Sequence, residues 1–278
     1  MKLLVPITVF ALLTTSRLPV FLPVASQKAP VASEPVAAPR KLVWSDEFTT
    51  DGVPDPAKWG YDVGGNGWGN KELQYYTKDR KENARVENGH LIIEAHKEAF
   101  QGRDYTSARL LTKNTATWMY GRFEIKAKLP SGVGTWPAIW MLGKNIATAG
   151  WPLSGEIDIM EHVGFDQGVV HGTIHSEAYN HVRKTEKGKH TSVPTASTEF
   201  HVYSIDWTAE QIDFAVDGQV YNSVTKAALG KTEAQWPFDQ PFYLIMNIAV
   251  GGGWGGQKGV DETIWPRRME VDYVRIYQ

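Results

Sequence analysis

From Lys41 onward, apolar and polar residues alternate through most of the chain, and helical periodicity is scarce. In FEIKAKL (123–129), Phe123, Ile125, Ala127 and Leu129 fall on one face, and Glu124, Lys126 and Lys128 on the other. That is the period of a half-buried strand. In QIDFAVDGQVYNSV (211–224), one such run ends at Asp217-Gly218 and a second begins. Asp-Gly between alternating runs is the strongest short-range hairpin signal. Further strands are expected in HLIIEAHKE (90–98), SARLLTK (107–113), TWPAIWML (135–142), VVHGTIHSE (169–177), FHVYSIDWT (200–208), FYLIMNIAV (242–250) and MEVDYVRIYQ (269–278). Many short strands punctuated by Gly, Pro and Asn turns predict an all-β sandwich or barrel. The pattern gives no reason to divide 41–278 into two domains.

The first forty residues read differently. Lys2 precedes LLVPITVFALLTT (3–15), an apolar stretch too short to span a membrane, and Arg17 stops it from being extended. Val24-Ala25-Ser26 offers small residues for cleavage after Ser26. The expectation is a signal peptide over 1–26 and export to the periplasm or beyond. QKAPVASEPVAAPR (27–40) is rich in Pro and Ala without period and reads as a flexible linker. The chain has no cysteine, which removes disulfides, thiolate chemistry and a lipid anchor on Cys. A net charge of −2 gives no basic surface for nucleic acid. No oligomer signal is visible, so a monomer is expected.

GEIDIMEHVG (155–164) poses a geometric problem. Ile157, Ile159 and Val163 mark a buried strand. On a regular strand Glu156 and Asp158 share a face, and Glu161 points to the other. A β-bulge near Ile159-Met160 would exchange the faces and bring Glu161 back beside the first two acids. Three acids on one face repel, and at least one then holds its proton to higher pH. Bulges also concentrate beside active sites. Glycoside hydrolysis needs one ionised carboxylate and one protonated carboxylic acid, about 5–5.5 Å apart in a retaining enzyme. His171, Thr173 and His175 share a face of a neighbouring strand, as suits a polar cleft lining.

The chain carries 11 Trp, 11 Tyr and 10 Phe, and so many indoles suggest a surface that stacks on something flat and apolar. Trp136 and Trp140, four apart in TWPAIW, share a strand face and make a candidate sugar platform. Trp118, Trp68 and Trp254 are weaker candidates. The Gly-rich GGGWGGQKG (251–259) lacks the strand–loop–helix setting of a phosphate loop and reads as a cleft edge.

At this point the sequence resembles glycoside hydrolase family 16, in its laminarinase branch with a bulged E-x-D-x-x-E signature. WSDEF (44–48), WGNKELQYYT (68–77), SARLLTK, YGRFEIKAKLP (120–130), GTWPAIWMLG (134–143), EIDIME (156–161), GTIH (172–175), PFYLIMNIAVGG (241–252) and VDYVRIYQ (271–278) all resemble segments of that branch, in its order. The resemblance covers nearly all of 41–278. It implies a concanavalin-like β-jelly roll of two curved antiparallel sheets with a substrate cleft across the concave face. It implies retaining chemistry, with Glu156 as nucleophile, Asp158 as its assistant, Glu161 as general acid/base and His175 beside the acid/base residue. It implies that Trp136 and Trp140 line the subsites near the cleaved bond, and that Asn70, Glu72 and Arg109 meet sugar hydroxyls on the non-reducing side. Arg109 read alone could equally be a structural ion-pair partner. No cofactor is implied for catalysis. A structural Ca²⁺ on the convex face is implied, with ligands from Glu47, Gly89 and Asp272.

The leading expectation is an exported endo-hydrolase of β-1,3-glucan, with mixed-linkage glucan as a further substrate. An agarase- or carrageenase-type galactan hydrolase is the alternative within the family. Against it, no Arg/Lys cluster lies near the Trp pair. A non-catalytic carbohydrate-binding module is the alternative from another class, and it is disfavoured because all three acids are present.

Overall fold

A computed structural model describes Met1, Leu3 and residues 40–278. The expected signal peptide and linker lie outside the described residues, apart from Met1, Leu3 and Arg40. In chain order the strands are β1 (Leu42–Asp46), β2 (Gly60–Tyr61), β3 (Gln74–Tyr76), β4 (Ala84–Glu87), β5 (His90–Phe100), β6 (Arg103–Ser107), β7 (Arg109–Leu111), β8 (Gly121–Lys128), β9 (Thr135–Gly143), β10 (Glu156–His162), β11 (Val169–His175), β12 (Lys187–Ser192), β13 (His201–Trp207), β14 (Gln211–Val216), β15 (Gln219–Thr225), β16 (Phe242–Val250) and β17 (Arg267–Tyr277). Two single-turn helices, Ile146–Ala149 and Lys226–Leu229, sit in connections.

The strands form two sheets. The outer sheet has ten strands, ordered β15-β14-β13-β8-β17-β5-β6-β3, with β1 on β17 and β4 on β5. The other has seven, ordered β12-β11-β10-β9-β16-β7-β2, and carries the acids on its outward face. Ladders are antiparallel, as expected, except that β3 pairs with β6 in parallel. The β4–β5 hairpin between them supplies the crossover a parallel pair needs.

The alternation is realised as burial. Phe123, Ile125, Ala127 and Leu129 are buried in the main core, whereas Glu124, Lys126 and Lys128 stay partly exposed. Leu91 and Ile93 join them from β5, and Ile139, Met141, Leu244, Met246 and Ile248 face them from β9 and β16. Between β14 and β15, Asp217 and Gly218 both adopt positive φ (49° and 77°). A two-residue type I′ turn requires that geometry.

Candidate active site

The bulge is present where the spacing placed it. Against β9, Glu156 pairs with Leu142 and Asp158 with Trp140, but Met160 pairs with Ile139 and Glu161 with Ala138. Two residues advance on β10 where one advances on β9. The ladder to β11 shows the same slip, with Asp158 opposite Thr173 and Glu161 opposite His171. The extra residue lets Ile159 and Met160, consecutive in sequence, both enter the core beside Ile157. Glu161 therefore returns to the face of Glu156 and Asp158.

This face is largely dry. Asp158 is 4 % exposed, and the Glu156 side chain 16 %. Burial, more than any neighbour, pushes the Glu156 carboxyl up to about 8, with the adjacent Asp158 charge adding to it. Burial does the same to Asp158, also to about 8. Glu161 rises to about 8 through burial and then Asp158, and a hydrogen bond from Trp136 opposes the rise. Removing solvent from a carboxylate disfavours its charged form, and close like charges add to the effect. The three groups release their protons as one coupled set.

Two neighbours orient the set. Trp136 Nε1 donates to Glu161 Oε1 at 3.0 Å. His175, opposite Glu156 on β11, places Nε2 3.3 Å from Asp158 Oδ2 and 3.7 Å from Glu156 Oε1. Ligand atoms of Glu156, Asp158 and His175 all lie within 4.8 Å of one another, a spacing that would also suit a metal ion. Such an ion would occupy the lone pairs a nucleophilic carboxylate needs.

On the β9 side of the acids, Trp140 Nε1 donates to Asn247 Oδ1 (2.8 Å), and Asn247 Nδ2 donates to Tyr76 OH (3.0 Å). Tyr76 OH in turn donates to Glu72 Oε2 at 3.3 Å. Glu72 also accepts from Gln74 (2.6 Å) and Asn70 (3.1 Å). At 5 % exposure with both oxygens engaged, Glu72 anchors this network. Arg109 sits between two indoles, its guanidinium 4.8 Å from the Trp68 ring and 4.6 Å from Trp140. Asp62 Oδ2 lies 3.0 Å from Arg109 Nε, so Arg109 takes part in an ion pair beside the two indoles. Trp254 stands edge-on to Trp136 (5.6 Å) and to His171 (4.9 Å). It is carried by the Gly-rich loop, where a Cβ on Gly255 would come within 2.8 Å of Trp136 Cβ.

Trp118 needs correction. It is 7 % exposed and packs edge-on against Trp44 and Phe123 inside the core, so it lines no cleft. Trp59, Trp207 and Trp236 are buried too. Part of the tryptophan excess thus fills the sandwich rather than its surface. Sequence reasoning misses Asn247 and Tyr76 as site residues. Asn247 has a signal, being the one polar residue in the apolar run FYLIMNIAV, and buried polar groups need partners.

The expected calcium ligands are mixed in character. Glu47 lies just past β1 and Gly89 in the β4–β5 turn, so both carbonyls sit outside a ladder, and Asp272 is the extra residue of a bulge in β17. Those oxygens suit calcium. The carboxylates do not as they stand, because Arg275 holds Glu47 (2.8 and 3.0 Å) and Lys126 holds Asp272 (2.7 Å).

Carboxyl groups gathered on one strand face and flanked by indoles are the arrangement that a two-carboxylate carbohydrate-cleaving site requires. Similarity to known proteins agrees. The family model described as glycosyl hydrolases family 16 matches residues 71–275, and this chain belongs to that family. A β-glucanase of Rhodothermus marinus is 61% identical over 243 residues, covering 86% of this chain and 85% of the relative. The X-ray structure of the laminarinase from Rhodothermus marinus superposes with a TM-score of 0.84 at 59% identity, over 86% of this chain and 97% of that one. SCLam, a non-specific endo-β-1,3(4)-glucanase of the same family, gives 0.82 at 50% identity, over 88% and 94%. The fold is the jelly roll of these enzymes, in their laminarinase-like branch.

Proposed function

We propose that this chain is an exported endo-hydrolase of β-1,3-glucan that works with retention through a covalent glycosyl-enzyme on Glu156. The observation that carries the reading is the bulge in β10, which puts Glu156, Asp158 and Glu161 on one dry face between Trp136, Trp140 and His175. Glu156, ionised, attacks the anomeric carbon. Asp158, next to it on the same face, positions it, with His175 Nε2 3.3 Å from Asp158 Oδ2. Glu161 gives its proton to the leaving oxygen and then takes one from the incoming water. The Trp136 N–H on Glu161 steadies the ionised form that exists between the two steps. Asn70, Glu72, Arg109 and Trp140 take the non-reducing portion of the glucan, with Glu72 acting by holding Asn70.

The β-1,3 preference rests on similarity to a laminarinase and a β-glucanase. Mixed-linkage cleavage rests on similarity to a non-specific endo-β-1,3(4)-glucanase. Export rests on the segment 1–26 with a cut after Ser26. Among the described residues no helix is long and apolar enough to cross a membrane. The protein is proposed to act as a monomer. A structural calcium at Glu47, Gly89 and Asp272 enters no step of the reaction. A higher Tm in calcium than in EDTA supports it, and an unchanged Tm removes it.

The deciding experiment measures reducing-end release by residues 27–278 from laminarin, mixed-linkage glucan, agarose and κ-carrageenan. Release from laminarin is expected, and Glu156→Gln should lose it by on the order of 10⁴-fold while still binding oligosaccharide. Release from a galactan alone would overturn the substrate, and a Glu156→Gln rate near wild type would overturn the mechanism.

A further inference from the structure

Glu156 and Asp158 alternate on one face of β10, ahead of the bulge, and His175 lies directly opposite Glu156 on β11. Two antiparallel strands thus hold three donor groups at the corners of a triangle, fixed by the ladder itself. His175 Nε2 lies 3.3 Å from Asp158 Oδ2 and 3.7 Å from Glu156 Oε1, and one donor atom from each residue falls within 4.8 Å of the others. Tetrahedral ligands at the usual Zn²⁺ bond lengths stand about 3.3–3.5 Å apart. The first spacing matches that edge as it stands. The Glu156 side chain is the least buried of the three and has the freedom to close the second. Glu161, beyond the bulge, is engaged by Trp136 Nε1 and stays outside the set.

A second observation points to a ligand. Asp158 is 4 % exposed, yet its Oδ2, the atom nearest His175, accepts no hydrogen bond among the described residues. An unpartnered oxygen in a dry site is costly. A cation satisfies it and offsets the repulsion between Asp158 and Glu156. The donor set narrows the choice of ion. Ca²⁺ takes about six to eight oxygens, and Mg²⁺ gives up its water reluctantly. One imidazole and two carboxylates suit Zn²⁺ and its neighbours Co²⁺, Ni²⁺ and Cu²⁺, with a fourth position left to water. The surroundings limit the strength. Ligation by Nε2 leaves the His175 proton on Nδ1, which is buried without a partner among the described residues. A ligating histidine ordinarily donates that proton to a neighbour, and losing the neighbour costs about 10- to 100-fold in affinity. Binding should therefore be micromolar and reversible rather than permanent.

We propose that Glu156, Asp158 and His175 form a reversible inhibitory site for one divalent cation of the Zn²⁺ class, which switches the cleft off. The bound ion takes the Glu156 lone pair that attack requires. It also stands where the anomeric carbon must approach, so ion and glucan exclude each other. The inhibition rests on the proposed function; the binding of the ion does not.

Titration calorimetry on the metal-free protein decides the binding. Wild type is expected to take up Zn²⁺ at this site with micromolar affinity, undiminished by excess Mg²⁺ or Ca²⁺. Losing a ligand costs more than losing a ligand's outer partner, so Asp158→Asn and His175→Ala should each weaken uptake by more than about 100-fold. Asp158→Asn keeps the shape of the side chain and guards against a folding defect. His190→Ala removes an exposed histidine outside the set and should change nothing. Co²⁺ should show the intense visible absorption of a four-coordinate ion in wild type and lose it in Asp158→Asn. Release from laminarin should fall with Zn²⁺, return with EDTA, and need more Zn²⁺ for the same inhibition as laminarin is raised. No Zn²⁺ uptake, equal affinity in wild type and both ligand variants, or a six-coordinate Co²⁺ spectrum would overturn the proposal. So would Zn²⁺ uptake at the three ligands that leaves turnover unchanged. A metal-free wild type inactive on laminarin would instead overturn the functional reading beneath it, with calorimetry and the Co²⁺ spectrum still deciding the metal site.

Discussion

The two sheets treat their carboxylates in opposite ways. On the outer sheet, Glu98 lies in a two-pronged clasp from Arg80 (2.6 and 2.9 Å), with Thr106 also donating to it. That arrangement, led by the Arg80 hydrogen bonds, pulls its carboxyl down to about 2. Arg275 lowers Glu47 in the same manner, and Lys128 and Arg268 both reach Glu270. On the seven-stranded sheet, Glu156, Asp158 and Glu161 have only His175 within ion-pair distance among the described residues, and all three rise to about 8. The same residue types on strands of one domain are thus tuned in opposite directions. Partner and solvent decide the direction. Charge on the outer sheet is settled permanently; charge on the cleft face is held close to a proton exchange that chemistry can use.

The contrast is tested hardest by removing the acid. Glu161→Ala should cost about 10²- to 10⁴-fold in kcat on unactivated glucan. Azide should restore turnover with an activated aryl glucoside, giving a β-glycosyl azide. An α-azide, read by NMR of the product, would assign the nucleophile to Glu161 instead. A milder change acts through the hydrogen bond that steadies Glu161. Trp136→Phe removes the N–H that favours its ionised form, so its carboxyl should titrate higher. The alkaline limb of the kcat/KM profile should move to higher pH, with rate falling severalfold. A limb that stays in place would mean that Glu161 does not set it.

How much of this is legible in the residues alone varies with the kind of signal. The bulge is legible because Ile159 and Met160 are both apolar and adjacent, which no regular half-buried strand with acids on one face would place there. The Asp217-Gly218 hairpin is legible because the turn geometry selects those residues. Trp118 is not, since an indole in the core and an indole on a sugar platform look alike when the flanking run does not alternate. Asn70 and Glu72 fall in the right region, but the network that fixes them is hidden. Its other members, Gln74, Tyr76 and Asn247, come from two sheets and converge only in three dimensions.

The raised groups also give the comparison a thermodynamic form. Unfolded Asp titrates near ~3.9, whereas folded Asp158 is raised to about 8 by burial. Between those values the folded state keeps a proton that the unfolded state has lost. The stability contributed by Asp158 is therefore complete at low pH and drains away as pH rises toward 8. Asn has no proton to lose. Asp158→Asn should match wild type near pH 4 and exceed it by about 2–6 °C in Tm at pH 7–8, while losing activity. A gain that is flat with pH would show that Asp158 is ionised throughout.

The outer sheet should answer with the reverse sign and a smaller amplitude. Glu98 is held at about 2 in the folded state, below the unfolded value near ~4.3. Its stabilisation is present above that unfolded value and is lost as pH falls through about 2. The pair is well formed, but the Arg80 and Glu98 side chains are 26 % and 32 % exposed, so solvent screens much of it. Glu98→Gln should then cost only about 0.5–1 kcal/mol at pH 7, a Tm loss of roughly 1–4 °C, with activity untouched. The loss should shrink in high salt and vanish near pH 2, where the Asp158→Asn gain is also absent. Opposite signs at pH 7 from two acid-to-amide substitutions would trace the difference to where each carboxyl sits rather than to the substitution itself. A gain at Glu98, or a loss at Asp158 at neutral pH, would break the comparison.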